Sequence, residues 1–303
     1  MSESLVDFQH IGGRYDGILG VCAGIEMLHV LHEHKIQTEF PVGVINWTNE
    51  EGARFPISMV SSGVWAGKIP LEKAHGLREV REGKRSMKED LQRIGYLGDM
   101  ECNYKAMPLA AHFELHIEQG PRLEAQNQQI GIVEGVQAYR WSTITVQGRD
   151  CHTGTTDFSN RSDALLTAAK MILHSHRLAA EHDALASTGI LKLEPGSTNT
   201  VPGWVQFSLD IRSKHDEVVL QLENQLKADF ARIARNQQIR GIDQAGILGK
   251  PCEVTWTLDA PSEAVKFDPV CIDCVKGSAS DLFGAGGVEM MTSGAGHDSG
   301  GYT

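Results

Sequence analysis

Between His215 and Asn236 the residues Val219, Leu222, Leu226, Phe230 and Ile233 recur at helical spacing along one face. A stripe of this kind must bury itself against a flat apolar partner. The surrounding sequence supplies one. Short runs suited to strands lie at Gly131–Gln137, Ser142–Val146, Gly189–Leu193, Val205–Ile211 and Cys252–Leu258, and a second helix is expected at Asp163–Glu181. Two helices backing a four-stranded sheet form an α+β domain, placed here at residues 131–259.

The flanking sequence has a different texture. It predicts a helix at Ile18–His34, strands at Phe40–Trp47 and Ala110–Leu115, a helix at Asp268–Leu282 and a strand at Val288–Met291. Ser86 followed by Glu89 has the pattern of a capping box. Helices alternating with apolar strands indicate an α/β domain, made discontinuous (1–130 and 260–303) by the insertion. A chain of 303 residues has room for both.

Composition narrows the function classes. With 41% apolar and 22% charged residues the chain is ordinary for a globular protein, and its net charge of −11 argues against nucleic acid or an anionic membrane as partner. There is no apolar run of membrane-spanning length, and MSESLVDFQH lacks the plan of a secretory signal, so the expected location is the cytoplasm. Six cysteines in a chain this long do not make a disulfide scaffold. Cys271 and Cys274 form a CxxC inside an apolar helical pattern with no second CxxC to complete a zinc site, so they read as packing residues.

The chemistry is concentrated at junctions between regular elements and loops. TNEEGARF, Thr48–Phe55, follows an apolar run and places Glu50 and Glu51 side by side at its end. Adjacent side chains at a strand end point to opposite sides, so one carboxylate can hold a metal while the other faces a water; the plainer alternative is a solvated pair. Asp16, in GGRYDG, precedes a helix and suits either a cap or a ligand. His116 and His297 occupy similar junctions, where a lone histidine is more often structural. Taken together, Asp16, Glu51, His116 and His297 are oxygen and imidazole donors without thiolates, a set suited to Zn²⁺, Mn²⁺ or related ions. A carboxylate bridging two metals would give a hydrolase site, with Glu50 as the general base.

GGRYDG, TNEEGARF, FELHIEQG, GRDCHTGTT, NTVPG followed by DIR, and SGAGHD occur in an order that resembles the amidase/hydantoinase/carbamoylase group of metal-dependent amidohydrolases. That group includes N-carbamoyl-L-amino-acid hydrolase, β-ureidopropionase and allantoate amidohydrolase, relatives of the aminoacylase-type zinc exopeptidases. The resemblance covers nearly the whole chain. It implies a zinc-exopeptidase-like catalytic domain with an inserted lid and dimerisation domain, a homodimer, two divalent ions per chain (zinc, or manganese, cobalt or nickel), and hydrolysis of a C–N bond in a linear ureide. It also implies roles: Asp16 bridges the metals, His116 binds one, Glu51 and His297 complete the other, and Glu50 is the base. Gln119, His152, Asn199 and Arg212 match positions that hold substrate or stabilise developing charge. His152 would steady the oxyanion, reaching into the partner subunit's site, and the Arg212 fork would clasp a substrate carboxylate. Without the resemblance, Arg212 at a strand end reads as one half of a surface ion pair.

The chain departs from the pattern in several places. Leu5 stands where the family carries a ligand histidine ahead of Asp16, although Asp7 of the same pair is kept and His10 lies nearby. Asp157 stands where proline often follows the GTT. The family's N-terminal helix and first strands, and a later strand and helix, are expected to be missing, as in a truncated member. These departures predict one weakened metal site. They leave two alternatives: a catalytically impaired relative serving as a dimerisation or regulatory partner, and an aminoacylase- or peptidase-type hydrolase.

Overall fold

The computed structural model describes residues 14–80, 83–237 and 249–301. The chain divides into two compact units, one formed by residues 1–136 and 266–303 and the other by 137–265.

The first unit begins with helix α1 (Ile18–Glu33), entered through Gly17 at φ 74. The next helices are short: α2 (Val60–Trp65), α3 (Leu71–Gly76) and α4 (Met87–Arg93). Ser86 starts α4 with both halves of the expected capping box, its hydroxyl accepting from Glu89 N at 3.3 Å and the Glu89 carboxylate accepting from Ser86 N at 2.6 Å. Phe55, Val60, Val64, Ala74 and Met87 form the core beneath these helices. The one-turn helix α5 (Arg122–Ala125) then leads into strand β1 (Ile130–Val136).

Two expected strands are absent here. Among the described residues, neither Phe40–Trp47 nor Ala110–Leu115 forms a strand ladder, and only an isolated bridge residue marks Ile45. An apolar run becomes a strand only where a neighbour supplies hydrogen-bond partners. Among the described residues no such ladder forms along either run.

The second unit follows the helical stripe more closely. Its strands are β2 (Ala138–Gln147), β3 (Cys151–His152), β4 (Leu185–Ser187), β5 (Leu191–Glu194), β6 (Thr200–Val201), β7 (Trp204–Ser213) and β8 (Glu253–Ser262), with helices α6 (Ala164–Glu181) and α7 (Asp216–Ala234). The main sheet has the order β4-β7-β2-β8, and β5 also pairs with β7. It thus contains five strands instead of the expected four, because β4 and β5 pair with successive stretches of one β7 edge. The sheet remains four positions wide. Along β7, Val205, Phe207, Leu209 and Ile211 are buried, with Gln206, Ser208, Asp210 and Arg212 on the opposite face. All five stripe residues of α7 are buried, and each side chain sealed in this way contributes about 1.5–3 kcal/mol.

The loop after β2 is closed by glycine. A Cβ at Gly148 would lie 2.1 Å from the Ser162 carbonyl oxygen, so no side chain fits where the GRDCHTGTT segment leaves the sheet.

The chain returns to the first unit through β9 (Val265–Lys266), α8 (Pro269–Phe283) and β10 (Val288–Ser293). Asp268 caps α8, accepting from Val270 N at 2.9 Å and Cys271 N at 3.1 Å, with proline in the first turn. Strand β10 lies parallel to β1, from Ile130 opposite Val288 to Val136 opposite Ser293. SGAGHD begins where that strand ends. No helix among the described residues is long and apolar enough to cross a membrane.

Candidate metal centre

The carboxylate of Asp16 does not cap α1. That helix has no side-chain cap, and the Asp16 side chain faces His116 and Gln119 instead. Of the two readings open for this residue, the cap is not formed. His116 Nδ1 lies 2.7 Å from the Ile117 carbonyl oxygen, which can only accept, so that nitrogen carries the proton. Its Nε2 lies 3.4 Å from Asp16 Oδ1, a buried atom with no hydrogen-bond partner among the described residues. A lone pair on imidazole facing a carboxylate oxygen is repulsive unless a second imidazole proton or a cation lies between them. Two ligands about 2.1 Å from a tetrahedral zinc are themselves about 3.4 Å apart.

His297 reaches the same place from the end of β10. Its ring centroid is 5.0 Å from that of His116, its Nδ1 is 3.3 Å from Glu114 Oε1, and its Nε2 is 2.7 Å from Ser293 Oγ. One donor atom each from Glu114, His116 and His297 fall within 4.8 Å of one another. These donors, with Asp16 beside them, fit a divalent cation in number and chemical type.

Glu114 was not among the expected ligands. It is two residues before His116, and alternate residues of extended chain share a side, so FELHIEQG contained the signal. Its second oxygen accepts from Ser299 N at 3.1 Å, and Ser299 Oγ is 2.8 Å from His112 Nδ1. Burial pushes the His112 imidazole down to about 4, against the opposing pull of Glu114, so this ring is neutral at ordinary pH. Asp298, wholly buried, accepts a hydrogen bond from Ser62 on α2.

TNEEGARF is held as a compact loop. Asn49, buried in a left-handed conformation (φ 59), accepts from Phe55 N at 2.9 Å and donates to the carbonyls of Phe55 and Ile57 at 3.0 and 2.9 Å. Gly52 has φ 71, and a Cβ there would lie 2.8 Å from Ser58 N. Arg54, just beyond the glutamates, is tied to Asp90 of α4. Within this loop Glu50 is buried and Glu51 half-buried, so the adjacent carboxylates occupy different environments. Gln119 brings Glu51 to the centre: its Nε2 is 2.9 Å from Asp16 Oδ2 and 3.5 Å from Glu51 Oε1. The first unit therefore gathers Asp16, Glu51, His116, Gln119 and His297. Leu5, Asp7 and His10 lie outside the described residues.

The other expected residues belong to the second unit. His152 pairs with Thr200 in the β3–β6 ladder, and Thr153 N donates to Asn199 O at 2.9 Å, which brings the His152 and Asn199 loops together. His152 Nδ1 accepts from Gly154 N at 3.1 Å, so the neutral ring carries its proton on Nε2 and the exposed imidazole is a donor. Arg212 is engaged along its Nε–Nη2 edge by Asp210, with contacts of 2.8–3.1 Å, and lies 5.5 Å from the Tyr139 ring centre. This is the ion pair that the sequence left as the alternative reading. Cys271 is half-buried and Cys274 exposed, and neither is in a disulfide.

The chain is 39% identical to an N-carbamoyl-L-amino-acid amidohydrolase of Rhizobium meliloti over 298 residues, covering 97% of this chain and 67% of that protein. It is 31% identical to an allantoate amidohydrolase of Bacillus subtilis over 310 residues, covering 98% and 69%. A crystal structure of an amidase of the hydantoinase/carbamoylase family from Burkholderia multivorans superposes with a TM-score of 0.83 at 39% identity, covering 98% of this chain and 69% of that one. The chain thus spans about two thirds of the length of these relatives. With residues 7–303 matching the family as a whole, the chain belongs to peptidase family M20/M25/M40.

Proposed function

We propose that this chain is a metal-dependent amidohydrolase that cleaves a C–N bond in linear ureides, N-carbamoyl amino acids or a related ureide such as allantoate. The observation that carries the reading is the convergence of Glu114, His116 and His297 on one point, with Asp16 against His116, in a fold shared with carbamoylase amidases. Asp16, Glu51, Glu114, His116 and His297 would hold one or two divalent ions, zinc or manganese among them. A bound ion would lower the pKa of a water and polarise the ureide carbonyl.

The chain's own residues do the rest. Glu50, buried beside Glu51, takes the proton from the attacking water as the new C–O bond forms, then returns it to the leaving nitrogen as the C–N bond breaks. For an N-carbamoyl amino acid the products are carbon dioxide, ammonia and the amino acid. His152, with its proton on Nε2, donates to the oxygen on which charge develops. Arg212 and Asn199 hold the substrate's carboxylate end. The second unit serves as lid and dimerisation module of a homodimer.

The test is ammonia release by the metal-loaded chain from an N-carbamoyl-L-amino acid and from allantoate, beside acetate release from an N-acetyl amino acid. Turnover on a ureide, lowered about 10²–10⁴-fold by Glu50→Gln, is the expected result. Cleavage of the N-acetyl compound alone would establish the aminoacylase-type alternative, the side on which the family's peptidase name falls. No turnover and no bound metal would leave a dimerisation partner without chemistry.

A further inference from the structure

Gln119 is more constrained than a substrate-binding side chain needs to be. Its backbone is left-handed, φ 56, a conformation that costs a residue with a Cβ free energy and recurs where function holds it in place. Both flanks are fixed. On one side His116 is locked by the Ile117 carbonyl; on the other the Glu118 carboxylate accepts from the backbone of Arg122 and Leu123, each at 2.8 Å, at the start of α5. Between them the Gln119 amide is aimed at two carboxylates from distant parts of the sequence. Nε2 donates to Asp16 Oδ2 at 2.9 Å and faces Glu51 Oε1 at 3.5 Å. An amide nitrogen has two protons, one for each carboxylate. The hydrogen bond goes to Oδ2 of Asp16, while Oδ1, the oxygen 3.4 Å from His116 Nε2, has no hydrogen-bond partner among the described residues.

We propose that Gln119 is a positioning residue of the metal centre, whose amide holds the Asp16 and Glu51 carboxylates together so that the remaining Asp16 oxygen is presented to the cation. Two anions held close repel, and a shared neutral donor offsets that repulsion without competing for the ion. A donor of this kind fixes the orientation of the ligand carboxylate, and losing such a partner typically weakens metal affinity by about 10- to 100-fold. This inference rests on the metal-centre reading above.

Zinc titration of the purified full chain, in competition with a chromophoric chelator, tests it, with no dependence on turnover. Gln119→Gly is the informative variant, because glycine adopts φ 56 without strain. The backbone is then relieved while the amide is removed. Positioning predicts zinc affinity about 10- to 100-fold weaker in Gln119→Gly and Gln119→Leu, with partial recovery in Gln119→Asn, which keeps an amide and tolerates the left-handed backbone. If all three variants bind zinc as the parent does, or if Gln119→Gly alone matches it, the amide has no such role. A rise in KM with unchanged zinc affinity would return Gln119 to substrate binding. Failure of the unaltered chain to bind zinc is a separate outcome, and it would overturn the metal-centre reading itself.

Discussion

The two units reach order by different means. Among the described residues, twenty buried ones form one continuous core in the second, between a sheet and two helices. In the first, the described core under α2–α4 has five, and the loops bearing the candidate ligands are held by Asn49, Gln119, Arg54 and Ser299 through hydrogen bonds and ion pairs. A hydrophobic core depends on area and shape and tolerates no missing volume. A polar scaffold depends on a few directional contacts, and its stability is tied to charge and to whatever cation it holds. The unit built for packing carries the longest helices and strands, and the one built from directed contacts carries the ligand geometry.

Removing packing volume from the second unit should have the largest effect. Phe230, fully buried, has ring centroids 6.2 Å from Phe207 and 5.6 Å from Trp256. Phe230→Ala is expected to destabilise the second unit by about 4 kcal/mol. Amide exchange should accelerate throughout β2, β7, α6 and α7, and a change confined to the neighbours of residue 230 would show that this core is not cooperative. The complementary experiment acts on the first unit. Zinc held 100-fold above its dissociation constant should stabilise it by about 2.7 kcal/mol, a gain reversed by a chelator. Slowed exchange around Asp16, His116 and His297, without change in β2 and β7, is the expected pattern. Uniform protection of both units would erase the distinction.

The same contrast explains what could be read from the sequence. Helices α6, α7 and α8 and the cap at Ser86 were legible because periodicity and capping are local properties. The apolar runs at Phe40–Trp47 and Ala110–Leu115 were equally apolar, but a strand also depends on a neighbour that no local pattern records. Asp16, Glu51, His116 and His297 were named from the sequence because together they make a set of oxygen and imidazole donors from distant parts of the chain. Glu114 was passed over because His116 was weighed as a single residue instead of together with the carboxylate two residues before it. The left-handed turns at Asn49 (φ 59) and Gln119 (φ 56) had no glycine to announce them, so the geometry that aims their amides became visible only in the fold.

The smallest effect expected is also the one that tests the polar scaffold directly. Asp90 on α4, its side chain 6% exposed, is surrounded by Arg54, Arg85 at 2.8 Å and Arg93 at 3.0 Å. Burial pushes its carboxyl pKa up, but the three guanidiniums outweigh burial and hold it below the usual carboxylate range. Asp90→Asn keeps the shape and removes the charge. Full loss of a buried ion pair costs about 3–5 kcal/mol, yet these guanidiniums are roughly half exposed and screened, so about 2 kcal/mol is expected. The sign with pH is fixed by the depressed pKa: the contribution is complete above the unfolded value of 3.8 and is lost as pH falls below it. Acid should therefore loosen the first unit of the parent chain in that window, with a smaller acid effect in Asp90→Asn. Because Arg54 follows the glutamate pair directly, the variant should also speed amide exchange across Thr48–Phe55. If that loop keeps its protection, Asn49 and Gly52 hold it without help from α4, and the polar scaffold is more redundant than its contacts imply.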